Sequence, residues 1–244
     1  MIDINFNFIT DTPNYWENFW DNEMGYSYAD PDLKSATLKQ YHRILWSKVL
    51  PNGEKMLLTE GKGYLVWKNF RFGSDSIVNG FRNKRNKGTM SEVIKCVQDY
   101  RKFVENYLKE TNTIGGYIIF PKMRHSINQM RGFNSCISDR FDLTLECIRR
   151  FYKNEKSPLY ETLQNNKEFF DLFKDFKGYV EFFLLQDLVN ESFDEIKFWI
   201  GDETFKDNPM PQNADEYFML IDKEINFVKK RNKRIENYVN QVNR

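Results

Sequence analysis

The run Tyr117-Ile118-Ile119-Phe120 constrains the fold of this chain more than any other feature. Gly115-Gly116 precedes it and Pro121 stops it, and four consecutive large apolar residues leave no face for water. Such a run is expected for a central strand buried on both sides, which demands packed layers above and below it. Helical patterns supply those layers. Ser91 to Glu110 places Val93, Ile94, Val97, Tyr100, Val104, Tyr107 and Leu108 on one face, with Ser91 as N-cap. Ser138 caps a further helix to Asn154, with Asp139, Asp142 and Glu146 early and Arg149, Arg150 and Lys153 late, the order that suits the helix dipole. Ser35 to Leu50 has a helical stripe, and a long amphipathic helix closes the chain from Ala214 to Val242.

Strands are expected elsewhere too. Ile2, Ile4, Phe6 and Phe8 alternate with polar residues, Lys55 to Glu60 and Tyr64 to Phe72 flank Gly61-Lys62-Gly63, and Ile196, Phe198 and Ile200 alternate again. Gly73-Ser74-Asp75-Ser76 suits a turn or the cap of a short helix. With 22 Phe, 13 Tyr and 5 Trp in 244 residues, there is enough large apolar side chain for one core. The expected fold is therefore α+β: a single domain over residues 1–244, with a mixed small sheet, several packed helices and a long C-terminal helix.

No apolar run approaches the roughly 20 residues of a membrane span, and Met1 to Thr10 lacks the features of a signal peptide, so a cytoplasmic protein with no membrane partner is expected. Cys96, Cys136 and Cys147 are odd in number and widely spaced, which argues against a disulfide framework or a cysteine-rich zinc site. All three are expected as reduced core or near-core thiols.

Charge is unevenly placed. Lys68 to Arg131 holds thirteen Lys and Arg against five Asp and Glu, whereas Glu161 to Glu224 holds six against sixteen. Lys229, Lys230, Arg231, Lys233 and Arg234 form a further basic cluster. If the middle segment and this tail share a face, they could grip a phosphate backbone of RNA or DNA; otherwise basic and acidic halves neutralise one another across the fold. The acidic 161–224 segment could instead dock a basic protein partner.

Three residue sets could carry chemistry. Lys122, Arg124, His125, Asn128, Gln129 and Arg131 follow the apolar strand, where a rigid support often carries binding groups. His125 could move a proton while Lys122, Arg124 and Arg131 neutralise a phosphate, a set sufficient for metal-independent phosphodiester cleavage; the plainer reading is a solvated loop. Asp139, Arg140, Asp142, Glu146, Arg149 and Arg150 form a second set, with the last four within a turn or two of one another and flanked by apolar residues, which suits either an ion-pair network or a cleft lined by acid and arginine. Arg71 with Gly73 to Ser76 could offer backbone N–H groups to an anion, although the spacing is not that of a P-loop. Asp187 with Glu195-Ile196-Lys197 has the residue types of metal-dependent nucleases in a weak arrangement, and His42 has no second ligand at metal spacing, so neither a metal nor a cofactor is expected.

Asp30-Pro31-Asp32, Tyr41-His42, Leu45-Trp46-Ser47-Lys48, Leu50-Pro51-Asn52-Gly53, the Phe70 to Ile77 segment, Gly115-Gly116, Asn128-Gln129, Arg131-Gly132 and Asp139 to Arg150 together resemble an uncharacterised bacterial family, a domain of unknown function of similar length. The resemblance implies a bacterial, single-domain protein and brings no activity with it.

From the residues, the leading expectation is a nucleic-acid-directed effector or toxin-like, metal-independent ribonuclease with His125, Arg131 and Glu146 as catalytic groups. Arg71, Lys122, Arg124, Asn128, Gln129, Arg140 and Arg149 would bind its substrate. The alternatives are a non-catalytic interaction or inhibitor protein with an acidic docking surface, and a small-molecule or nucleotide enzyme with a cleft at the 139–150 helix.

Overall fold

The computed structural model describes residues 2–21, 30–78, 87–122, 126–131, 137–202, 205 and 210–242. Its sheet is antiparallel throughout, in the order β1 (Thr59–Gly61), β2 (Tyr64–Trp67), β3 (Phe70–Ser76) and β4 (Tyr117–Pro121). Gly63 turns the first hairpin at φ +77°, a conformation that favours glycine. All five residues of β4 are buried, as the apolar run predicts. Yet among the described residues β4 pairs only with β3, which makes it an edge strand there and not a central one.

A buried edge needs its backbone groups satisfied. The long helix running Ala214–Val242 does this with Arg231, whose Nη1 donates to the carbonyls of Gly115 (2.9 Å) and Tyr117 (2.7 Å). Its Nε and Nη2 donate to the Phe183 carbonyl at 3.2 and 3.0 Å. Gly115 lets the helix come this close: a Cβ there would lie 2.5 Å from the Val228 carbonyl oxygen. Asn232 of the same helix accepts from the Gly115 N–H at 2.7 Å.

Eleven α-helices surround the sheet among the described residues: α1 (Tyr15–Asp21), α2 (Pro31–Lys34), α3 (Ala36–Trp46), α4 (Lys87–Cys96), α5 (Tyr100–Thr111), α6 (Ile127–Met130), α7 (Phe141–Tyr152), α8 (Tyr160–Asn165), α9 (Lys167–Asp171), α10 (Phe176–Phe182) and α11, the long C-terminal helix. The main core joins the sheet to α3, α7 and the short helices α8 to α10, where Phe169, Phe173, Tyr179, Phe182 and Phe183 pack with ring centroids 5.0 to 6.4 Å apart. Each such pair adds about 1 kcal/mol beyond simple burial. A second apolar cluster forms where α1, α4, α5 and α11 meet. Of the described cysteines, Cys147 is buried and Cys96 is exposed, so Cys96 is not the near-core thiol expected.

Several local expectations differ from the fold. Arg140, not Ser138, is the N-cap residue of α7, and Tyr64 to Phe72 is not one strand, because the chain turns between Trp67 and Phe70 with Lys68 at φ +51°. The alternating start is no strand: Asn7 accepts from Ile9 N–H and caps a 3₁₀ turn at Phe8–Asp11, and the side-chain bond displaces ladder pairing. The Ser91 to Glu110 pattern is two helices, because Asp99 caps a fresh start by accepting from Lys102 N–H at 2.9 Å. Gly73 to Ser76 continues β3, where the β4 partner outweighs turn propensity. Ile196 forms only an isolated bridge with Val189.

Candidate active site

A cavity of about 150 Å³ opens beside the last residues of β3. Asp30, Asp32, Asp75, Ser76, Asn128, Arg131 and Asp139 supply its polar wall, and Tyr15, Phe19, Tyr107 and Tyr117 supply rings. Local rules place each group. Asp30 is the N-cap of α2, accepting from Asp32 N–H at 3.2 Å, and Pro31 occupies the first helical position, where its missing N–H is no loss. Successive side chains of a strand point to opposite faces, so Ser74 and Asp75 of β3 reach different partners. Ser76 N–H also donates to Asp32 Oδ2 at 3.1 Å.

On the first face lies a chain of hydrogen bonds whose direction is fixed. Trp46 Nε1 can only donate, and it donates to His42 Nδ1 at 3.0 Å. The His42 proton is therefore on Nε2, which lies 2.9 Å from Ser74 Oγ and donates to it. The Ser74 hydroxyl passes its own proton to Asp32 Oδ1 at 2.6 Å. Burial, with the nearby Arg231 charge, pushes the His42 imidazole down to about 3, so the ring is neutral and the chain Trp46 to His42 to Ser74 to Asp32 has one polarity.

On the other face, Arg131 Nη1 donates to Asp75 Oδ2 (2.5 Å) and to the Ser76 carbonyl (3.2 Å). Its Nη2 lies 3.0 Å from Asp139 Oδ1, in a geometry bent away from a hydrogen bond, and its Nε has no hydrogen-bond partner among the described residues. The Arg131 side chain is only 3 % exposed. Burial would lower its pKa, but Asp75, Asp139 and Asp32 outweigh that and raise it, so the guanidinium stays charged. Burial pushes Asp75 up to about 6, with Arg131 pulling against Asp139 and Asp30. Asp32 is raised well above its ordinary value by burial and by Asp30 and Asp75, against the bonds from Ser74 and Ser76.

Of the residues expected to form a site, Arg131 and Asn128 line this cavity. Gln129 is exposed and accepts the Ser126 N–H at 3.4 Å. Arg71 and Lys122 are exposed at adjacent strand positions, joined by Lys122 N–H donating to the Arg71 carbonyl at 2.6 Å. Arg124 and His125 lie outside the described residues, as does the basic stretch at 82–86. Arg140 is buried and pairs with Asp142, whose Oδ2 also accepts Trp199 N–H at 2.8 Å, while Arg140 Nη2 donates to the Ile200 carbonyl at 2.7 Å. This ion pair pins the 199–200 segment to α7. Glu146 accepts from Arg149 at 2.7 and 2.8 Å and from Arg150 at 2.6 Å. Burial would raise its pKa, but the two arginines outweigh burial and lower it, which makes it a weak proton acceptor. Asp187 is held by Arg234 at 2.8 and 3.0 Å. Among the described residues, no group of three His, Cys, Asp or Glu is placed to hold a metal ion.

Asp30, Asp32 and His42 fall in no catalytic motif of the sequence, and Ser74 and Asp75 suit a turn there. One signal was present: His42 and Trp46 are spaced i, i+4, which stacks an indole N–H over an imidazole on α3. The segments that carry the family resemblance meet here, since Asp30 to Asp32, Ser74 to Ser76, Asn128, Arg131 and Asp139 share one cavity or its immediate support.

A model of a family of unknown function (DUF6994) matches residues 2–235. The chain belongs to that family. The match spans both walls of the cavity, so the site is a feature of the DUF6994 segment and not of an appended tail. No curated protein and no solved structure matches the chain.

Proposed function

We propose that this cavity is the acid–base centre of an enzyme acting on a small, neutral, hydroxyl-bearing molecule of the sugar or nucleoside class. One observation carries the reading: Asp32 and Asp75 share a wall, and their environments push their proton affinities up by different routes. Asp32 accepts hydrogen bonds but forms no ion pair within 4.0 Å among the described residues, and its raised proton affinity suits general-acid work on a leaving group. Asp75 is kept ionised at neutral pH by Arg131 and, at about 6, suits a base or nucleophile. Two carboxyl groups in those roles meet the requirement of glycosidic bond cleavage.

Charge selects the substrate class. Four aspartates face the single guanidinium of Arg131 among the described lining residues, which repels a polyanion and welcomes hydroxyl donors. The parallel rings of Tyr15 and Phe19, 5.8 Å apart at 16°, give a flat apolar wall for a sugar face or base. Turnover of a panel of nucleosides and p-nitrophenyl glycosides tests the reading. The wild type should cleave at least one member, with Asp32→Asn and Asp75→Asn each slower by about 100-fold or more at unchanged fold. Because the base must be ionised, activity should fall as pH drops through about 6. Inertness toward the whole panel, or undiminished Asn variants, would reject it.

A second reading, RNA or DNA binding outside the cavity, is favoured by the paired exposed cations Arg71 and Lys122. It predicts salt-sensitive affinity for RNA that Arg71→Ala with Lys122→Ala removes. Unchanged binding in the double variant counts against it.

A further inference from the structure

A second cavity, of about 690 Å³, lies on the other side of α3 and is independent of the aspartate centre. Its walls are mostly apolar, and Ile44, Val49 and Val242 line it while 43 %, 62 % and 66 % exposed. One amine reaches into this apolar groove. Lys48 follows the C-cap of α3, its backbone is tied by Met56 N–H donating to its carbonyl at 3.0 Å, and its side chain folds back among three rings. Nζ lies 5.1 Å from the Trp46 ring centroid, 4.4 Å from Phe182 and 4.5 Å from Tyr238, and donates to the Phe182 carbonyl at 2.5 Å.

No carboxylate lies within 4.0 Å of Nζ among the described residues. Glu181 of α10 lines the groove but faces Lys177 at 3.8 Å, and Lys55 at the rim is a like charge. On α11, Arg231 stands over the same Trp46 indole at 5.9 Å, and Tyr238 is raised by burial and stays un-ionised. His42 of α3 is neutral. Burial and Arg231 together push Lys48 down to about 7, so a large share of the amine is unprotonated at neutral pH.

We propose that Lys48 is a nucleophilic amine that binds aliphatic aldehydes as a reversible imine, with the hydrocarbon chain lying in the apolar groove. The nitrogen lone pair attacks the carbonyl carbon to give a carbinolamine. The carbon–oxygen bond then breaks, the hydroxyl leaves with a proton as water, and a C=N bond joins ligand to lysine, with no oxidant or reductant involved. Burial of the amine among three rings favours its neutral form, and the apolar groove holds the hydrocarbon chain beside it.

The test uses the whole chain with octanal as probe, trapping any imine with sodium cyanoborohydride and mapping labelled lysines by mass spectrometry. At pH 7, Lys48 should label at least tenfold faster than any other lysine, and its rate should be half-maximal near pH 7 while surface lysines keep rising above pH 9. Propanal, too short to fill the groove, should lose most of that preference, as should octanal with Val49→Asn, an uncharged change at an exposed position. Labelling spread over lysines in proportion to their exposure, or a Lys48 rate indifferent to chain length, overturns the proposal.

Discussion

His42 shows how completely a residue's neighbours can dictate its state. Trp46 supplies a donor that cannot be refused, Ser74 needs one, and burial penalises the cation, so one tautomer remains. Nitrogen-15 NMR should find His42 neutral with its proton on Nε2 at pH 5; a titration near the ordinary value of 6.5 would contradict this. Asp75 gives a matching prediction for stability. Its pKa in the fold, about 6, lies above the ordinary 3.8, so the folded state binds more protons between these values. Its contribution is fully present below pH 3.8 and is lost as pH rises through 6, at up to about 1.4 kcal/mol per pH unit. Urea unfolding of Asp75→Asn against wild type should show that slope removed from this window. Arg131 was legible as a binding group from its place after β4. Asp75 and Asp139 were legible too, but in separate sets, because they lie 56 and 8 positions from Arg131 and only the fold brings them to it.

Among the elements, α11 does the most to shape the site's surroundings. Its apolar stripe was plain in the sequence and its bounds match, because 29 residues of one periodicity leave little ambiguity. Its key contact was not plain. Arg231 sits in a run of basic residues that suggests a phosphate-gripping cluster, yet it is fully buried and serves the carbonyls of Gly115, Tyr117 and Phe183. Arg231→Met should destabilise the fold by about 3 kcal/mol or more in urea unfolding, since it strands buried acceptors costing about 1 to 3 kcal/mol each. A loss below about 1 kcal/mol would show that the edge of β4 is satisfied without it. Short elements were harder to read, as at the N-terminus, where one Asn side chain decided between a strand and a 3₁₀ turn.

At the scale of the whole molecule, much of the uneven charge is spent internally. The tail does not simply join the basic middle: Arg231 is buried, Arg234 pairs with Asp187, Lys229 lies 3.1 Å from Glu110 and Lys233 3.7 Å from Glu236. On the acidic side, Asp171 and Glu181 meet Lys167 and Lys177, and Glu224 is buried against the Tyr107 hydroxyl at 2.5 Å. Net charge along a sequence says nothing about faces, which is why the asymmetry pointed to nucleic acid while the cavity beside β3 is lined with aspartate. No helix among the described residues is long and apolar enough to cross a membrane. We propose that this cavity takes neutral, hydroxyl-bearing ligands. Thermal unfolding of wild type and Asp32→Asn with nucleosides and monosaccharides, each beside its phosphorylated form, tests it most directly. The account predicts that neutral members raise Tm in the wild type alone, whereas stronger stabilisation by the phosphorylated forms, or equal stabilisation of the variant, would contradict it.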